Sequence, residues 1–227
     1  MNIILLTGKC ASGKDTLMHI LKRRYGAKQL VSYTTRAMRP GEMDGREYFF
    51  TNREDFQKKL DGDEFIEIRR AGKGDDEKCY GLHKTKNGID GPGLYVTAVD
   101  PPASEELCTY FNTQGTRPIV VLVDTFDDLR KQRALARGGM TGNDFDLRDE
   151  QDREMFTTNR WDFYISNNAS KQILEERATS LMEMLEHLDR IERCRNCSSS
   201  TEDQGVWTCD KTAMRCVNIE MCPKGER

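Results

Sequence analysis

The stretch GKCASGKDTL, residues 8–17, decides the fold. It nearly spells the phosphate-binding pattern G-x-x-x-x-G-K-[ST], with Asp15 where the hydroxyl residue usually follows Lys14. The apolar run NIILLT, residues 2–7, precedes it and reads as a buried strand. Residues 15–25 continue as a helix with Leu17, Ile20 and Leu21 on one face. A strand, a glycine loop and a helix in that order aim backbone N–H groups and the positive end of the helix at phosphates. Gly8 and Gly13 permit the turn and the close approach, Ser12 lies inside the loop, and Lys14 reaches the β and γ phosphates. A plain glycine turn with a surface lysine is the competing reading, and the strand-loop-helix context argues against it. Asp15 can ligate Mg²⁺ directly or through water, and Thr16 supplies a hydroxyl one position later. The loop is therefore expected to hold ATP with Mg²⁺.

Outward from the loop, unalternating apolar runs separated by amphipathic stretches indicate an α/β chain with a parallel sheet flanked by helices. PIVVLVD is the strongest later strand, with LYVTAVD, EFIEIRR and FYIS as further candidates and REYFF as an extended segment. Helices are expected at 104–111, 125–137, 147–156 and 170–193, and from Thr51, with Glu54 completing a capping box, to about residue 60. Leu174, Ala178, Leu181, Leu185 and Leu188 form one stripe on the longest of them. GGMTGNDFD reads as a glycine-rich connection.

Composition narrows the partners. The 227 residues suit one core with a small appendage, and charged residues, though 32% of the chain, leave a formal net charge of only -3. That balance argues against nucleic acid or an anionic membrane as a partner. No stretch reaches the roughly 20 apolar residues of a membrane helix, and the N-terminus lacks the basic region and cleavage site of a signal peptide. A cytoplasmic protein is expected. Nothing in the sequence sets an oligomeric state.

A second phosphate site follows the loop. In SYTTRAMRPGEMDGREYFF, residues 32–50, Arg36 and Arg39 lie three apart and Tyr48 follows a turn. Two guanidiniums and a phenol suit a phosphate monoester, although surface arginines on a solvated loop would read the same way. Here the chain resembles guanylate kinases. The family pattern S-x-T-T-R-x-x-R-x-G-E-x-x-G-x-x-Y is present as Ser32, Thr34, Thr35, Arg36, Arg39, Gly41, Glu42, Gly45 and Tyr48. The likeness continues through EFIE, CYG, ALARG and WDFYISNN, from residue 2 to about 189.

The resemblance implies a P-loop nucleoside monophosphate kinase with a core domain at 1–190, a monophosphate-binding insertion at about 33–93 and a lid at about 138–147. It implies that Ser32, Arg36, Arg39, Tyr48 and Tyr80 hold the acceptor's monophosphate. It also implies that Glu67 reads the guanine edge, with Asp100 a second acid near the base. Arg133 and Arg137 then flank the lid, Arg148 lies beyond it, and Asn167 sits on the adenine side. Independently of the family, Arg133 and Arg137 are i,i+4 on one helix face beside a glycine-rich segment that could close over phosphates. Ordinary surface arginines would look the same.

Several positions depart from the family. Leu82 stands where a hydroxyl usually follows Tyr-Gly, Ala98 replaces an acid, and Pro101 and Pro102 replace Gln-Gly. The segment RRAGKGDDEK between Glu67 and Tyr80 is longer and more charged. These changes touch the base contacts and leave the phosphate clamp intact. Ribose 1,5-bisphosphate or another nucleotide is the alternative acceptor, and a guanylate-kinase-like binding module without catalysis is the alternative class. Retained Lys14, Arg36 and lid arginines speak for catalysis.

Five of the eight cysteines, Cys194, Cys197, Cys209, Cys216 and Cys222, crowd residues 191–227. The opening C-x₂-C resembles zinc knuckles, and four of the five thiolates would make a tetrahedral Zn²⁺ site. The expected ligands are Cys194, Cys197, Cys209 and either Cys216 or Cys222. A loosely ordered tail with free thiols is the competing reading.

Overall fold

The computed structural model describes residues 2–72, 74, 77–87, 89, 91–138, 140–157, 161–195, 200–203, 206–209 and 214–215, with side chains as far as residue 189. The chain divides into two compact units, Met1–Leu174 and Glu175–Arg227.

In the first unit, β1 (Asn2–Thr7) is the central strand. Its Ile3, Ile4, Leu5 and Leu6 are all fully buried, as expected of a strand covered on both faces. It pairs in parallel with β7 (Leu94–Ala98) on one side and β8 (Ile119–Asp124) on the other. With β2 (Lys28–Gln29) and β9 (Phe163–Ser166) at the edges, the order is β2-β7-β1-β8-β9, all parallel. The helix α1 (Lys14–Tyr25) buries Leu17, Ile20 and Leu21, the face legible in the sequence.

A second sheet carries the insertion. It comprises β3 (Tyr33–Thr34), β4 (Phe49–Phe50), β5 (Phe65–Ala71) and β6 (Lys78–His83), in the order β4-β3-β6-β5. The helix α2 (Arg53–Asp61) seals it, with Phe56 stacked on Phe65 at 4.7 Å between ring centroids. The cap of α2 differs from the expected Thr51–Glu54 box by one position: Asn52 accepts from Asp55 N–H at 2.8 Å. Asparagine ranks above threonine as an N-cap, which favours the register one residue on.

The helix α3 (Pro101–Thr113) begins earlier than expected. Asp100 caps it, accepting from Ala103 N–H at 3.0 Å, and the prolines occupy the first turn, where no N–H is needed. After α4 (Asp127–Ala136), the glycine-rich segment is mostly helical: α5 runs Gly142–Met155. Its start is fixed by a capping box between Thr141 and Asp144, a signal that outweighed the local glycines.

α4 and α5 share a buried ion pair. Arg130 is fully buried and donates to Asp149, itself 5% exposed, and to Asp127 at 2.7 Å. Arg130 also donates to Cys10 O at 3.2 Å, tying α4 to the phosphate loop.

The long helix α6 (Lys171–Arg195) crosses the boundary between the units. Leu174, Ala178, Leu181 and Leu185 are buried, but Leu188, the last residue of the stripe, is 44% exposed. The second unit also holds an antiparallel sheet of β10 (Ser200–Asp203), β11 (Val206–Cys209) and β12 (Met214–Arg215). Among the described residues, no helix is long and apolar enough to cross a membrane.

The Arg130–Asp149 pair yields a stability test. Asp149→Leu removes the buried partner of Arg130, leaving it only the largely exposed Asp127, and should cost up to about 3–5 kcal/mol in urea unfolding. Arg130→Met combined with Asp149→Leu should recover most of that loss.

Candidate functional site

At the end of β1 the chain turns through Gly8 to Gly13 under close contact. A Cβ on Gly8 would lie 2.3 Å from Val123 O, and one on Gly13 would lie 2.1 Å from Asn167 Nδ2. Gly13 also sits at φ +99°, a conformation that side chains rarely adopt. Asn167, at the end of β9, donates through Nδ2 to Ser12 O at 2.8 Å, and Thr125 Oγ1 donates to the same oxygen at 2.9 Å. The loop is thus clamped from β8 and β9. Ser12 Oγ is buried without a hydrogen-bond partner among the described residues.

Lys14 folds back over the loop, donating to the carbonyls of Gly8 and Lys9. Burial pushes its ammonium below the usual lysine range, against the raising effect of the Asp15 and Asp152 charges. Asp152, from α5, accepts from Cys10 N–H at 2.7 Å, so a carboxylate rests on the loop's backbone. Nothing in the sequence pattern singled out Asp152. Its role comes from the packing of α5 beside the loop.

Across the same cavity, of about 390 Å³, lies the arginine cluster. Arg36 and Glu42 form a bidentate pair at 2.9 and 3.0 Å, and Glu42 also accepts from Arg39 N–H at 2.7 Å. Partial burial opposes ionisation of Glu42, but the bonds from Arg36 and Arg39 hold its carboxyl below the usual range. The Arg36 guanidinium lies over the Tyr48 ring at 5.3 Å, and Tyr48 meets Tyr80 edge to face at 5.8 Å. Burial, then the neighbouring Tyr80 and Asp15, keep Tyr48 protonated as an O–H donor.

The cavity wall brings together Gly8, Lys14 and Asp15 of the loop with Ser32, Arg36, Arg39, Tyr48 and Tyr80 of the insertion. Asp100, Arg137 and Arg148 complete it. Arg137 stands at the C-terminal cap of α4 and Arg148 on α5. Ser12, Gly13 and Thr16 belong to the loop but do not line the cavity. Arg133 and Asn167 stand beside the loop rather than on the wall: Arg133 Nη2 donates to Asn167 O at 3.0 Å. Arg133 Nη1 is buried with no hydrogen-bond partner among the described residues.

Glu67 is 5% exposed and sits behind the wall, accepting from Leu82 N–H at 3.1 Å. Burial, reinforced by the Asp100 and Glu106 charges, pushes its pKa up to about 8. Leu82 points into the core with Leu30, Tyr95 and Leu107. In front of Glu67 the wall carries Arg69 and Asp100, joined at 2.5 Å. Arg69 was not singled out from sequence, where it is one charge in a charged run.

Of the tail cysteines, Cys197, Cys216 and Cys222 lie outside the described residues, as do the side chains of Cys194 and Cys209. Among the described residues, no group of three or more His, Cys, Asp or Glu is placed to hold a metal ion.

Residues 1–86 match the family model described as guanylate kinase. The guanylate kinase of Syntrophus aciditrophicus is 27% identical over 210 residues, covering 89% of this chain and 92% of its own. That of Geobacter sulfurreducens is 28% identical over 179 residues, 77% of this chain and 84% of its own. A denser match, 46% identical over 66 residues, joins the chain to guanylate kinase from Synechococcus elongatus, but it spans only 36% of that relative. Among solved structures, guanylate kinase from Anaplasma phagocytophilum superposes with a TM-score of 0.55 at 18% identity, over 82% of this chain and 85% of that one. The fold is therefore shared: a P-loop α/β core whose parallel sheet is flanked by helices.

Two tests arise from this geometry. Gly13→Ala puts a methyl against Asn167, and binding of ATP should fall at least about 10-fold, read by titration calorimetry. Separately, Glu67 keeps in the folded chain a proton that the unfolded chain releases near its ordinary 4.5. Folding stability should therefore decline as pH rises from 4.5 towards 8, and Glu67→Gln should flatten that slope in urea titrations.

Proposed function

We propose that the chain is an ATP-dependent nucleoside monophosphate kinase that converts GMP or dGMP to the diphosphate. The observation that carries this reading is the single cavity shared by the phosphate loop and the arginine–tyrosine cluster. Two sites for phosphate on one wall fit a donor and an acceptor brought face to face. The relatives named guanylate kinase support the choice of acceptor.

The chemistry is direct in-line transfer of the γ-phosphoryl to a monophosphate oxygen, with no protein nucleophile. Lys14 and the loop N–H groups neutralise the donor phosphates, and Asp15 on the cavity wall, with the Thr16 hydroxyl next to it in sequence, would hold the Mg²⁺ that accompanies ATP. Ser32, Arg36, Arg39, Tyr48 and Tyr80 hold the acceptor's phosphate. Arg137 and Arg148, at the end of α4 and on α5, stabilise charge spread over the transferring group, with Arg133 beside the loop as a third cation. Asn167 supports the loop on the adenine side. Asp100 serves the base from the cavity wall, and Glu67, buried close to it, acts through that wall. Asp152 must leave the Cys10 N–H if a phosphate oxygen is to take its place.

Use of ATP as donor and the free thiols of Cys10, Cys79 and Cys108 fit a cytoplasmic setting. The C-x₂-C spacing in the tail supports a Zn²⁺ site built from four of Cys194, Cys197, Cys209, Cys216 and Cys222. Metal analysis of the purified chain should find one zinc per molecule, and a value well below that removes the site.

A coupled ADP-release assay with MgATP tests the catalytic reading. Turnover should be selective for GMP or dGMP over AMP, CMP, UMP, dTMP and ribose 1,5-bisphosphate. Lys14→Ala should lower kcat by at least about 10²-fold. Selectivity for ribose 1,5-bisphosphate would move the acceptor, and silence on every acceptor would leave a binding module.

A further inference from the structure

The base subsite of this chain contains a cation that the phosphate clamp does not explain. Arg69 lies on β5 directly opposite Tyr80 on β6, with its guanidinium over the Tyr80 ring at 5.5 Å. Its Nε contacts Asp100 Oδ2 at 2.5 Å, while Asp100 Oδ1 is held by Ala103 N–H. Asp100 is thereby fixed at the start of α3, and it in turn fixes the guanidinium. Both side chains line the cavity. Glu67, two residues earlier on the same strand, is buried off the cavity wall, and burial raises its pKa to about 8. Ala98 on the wall has no hydrogen-bonding side chain, and Leu82 points into the core.

We propose that Arg69 is the specificity-determining residue for the acceptor's base, donating to the 6-oxo group of a purine monophosphate while Asp100 accepts from the ring N1–H. This rests on the reading of the chain as a guanylate-kinase-type enzyme. The chemistry is directional. Guanine presents an acceptor at O6, whereas adenine presents an N6–H₂ donor at the same position. A guanidinium there pairs with the first and leaves two sets of N–H groups facing each other in the second. Contact with Asp100 through Nε directs the Nη nitrogens to the ligand. The pair also leaves the subsite close to neutral, since the Arg69 charge offsets that of Asp100 and Glu67 is protonated. An uncharged, donor-and-acceptor wall suits a neutral base better than a lone pair of acids would.

The test uses kcat/KM of the full chain with GMP, IMP and AMP at saturating MgATP. IMP keeps O6 and N1–H but lacks the 2-amino group, so it separates the contacts assigned to Arg69 and Asp100 from any made to the 2-amino group. Arg69→Ala should lower kcat/KM for GMP and IMP alike by about 10- to 100-fold and move their ratios to AMP towards one. The KM for ATP should stay in place. Arg69→Lys retains a cation for Asp100 and serves if the alanine variant is unstable: it should give ratios between those of the wild type and Arg69→Ala. A uniform fall for all three acceptors, or unchanged ratios in either variant, overturns the assignment while leaving the kinase reading intact. A wild-type chain inactive on both GMP and IMP overturns the assignment together with the reading beneath it.

Discussion

The structure depends on how closely the phosphate loop approaches the strands beside it. Gly8 lies where any side chain would collide with Val123 O, and Gly13 lies where any side chain would collide with Asn167. Absence of two Cβ atoms lets the loop pack down on β8 and β9, so that Asn167 and Thr125 both reach Ser12 O. The loop N–H groups are then rigidly placed at the end of the central strand and the start of α1. This is the position that open parallel α/β sheets commonly offer to ligands. Lys14, the insertion and α5 are arranged around that fixed point.

Charge is managed around it by pairing. Arg36 is held by Glu42, Arg69 by Asp100 and Arg130 by Asp149 and Asp127, while Asp152 rests on the Cys10 N–H. The pairs differ in burial and therefore in meaning. Arg130 and Asp149 are closed off from solvent, and their pairing joins α4 and α5 to the loop as a structural unit. Arg36 and Arg69 face the cavity, where the same carboxylates hold each guanidinium in a defined orientation for a ligand. Ordering the cations in advance lowers the cost of arranging them when substrate arrives.

Much of the core was legible because burial leaves a simple mark. The runs NIILLT and PIVVLVD could only be strands covered on both faces, and the spacing of Leu17, Ile20 and Leu21 marked the inner face of α1. The short strands β2 and β3 have only two residues each and carry no periodicity to find, whereas β4 falls within the extended segment REYFF. The helix expected at 147–156 is α5, but it begins at Gly142, because the Thr141–Asp144 capping box starts a helix where the glycines suggest a loop. Ionic partners were the least legible. Arg69, Asp152, Arg130 and Asp149 look like ordinary surface charges until the chain brings their partners near. A charge falling on the inward face of a helix pattern, as Arg130 does, was the one available signal.

Donor and acceptor meeting in one cavity is the central claim, and a bisubstrate ligand addresses it directly. An adenosine and a guanosine joined through five phosphates should bind by calorimetry at one site per chain, far tighter than ATP or GMP alone, and be displaced by either nucleotide. Affinity no greater than that of ATP, with displacement by ATP but not by GMP, would contradict direct transfer between two adjoining phosphate sites.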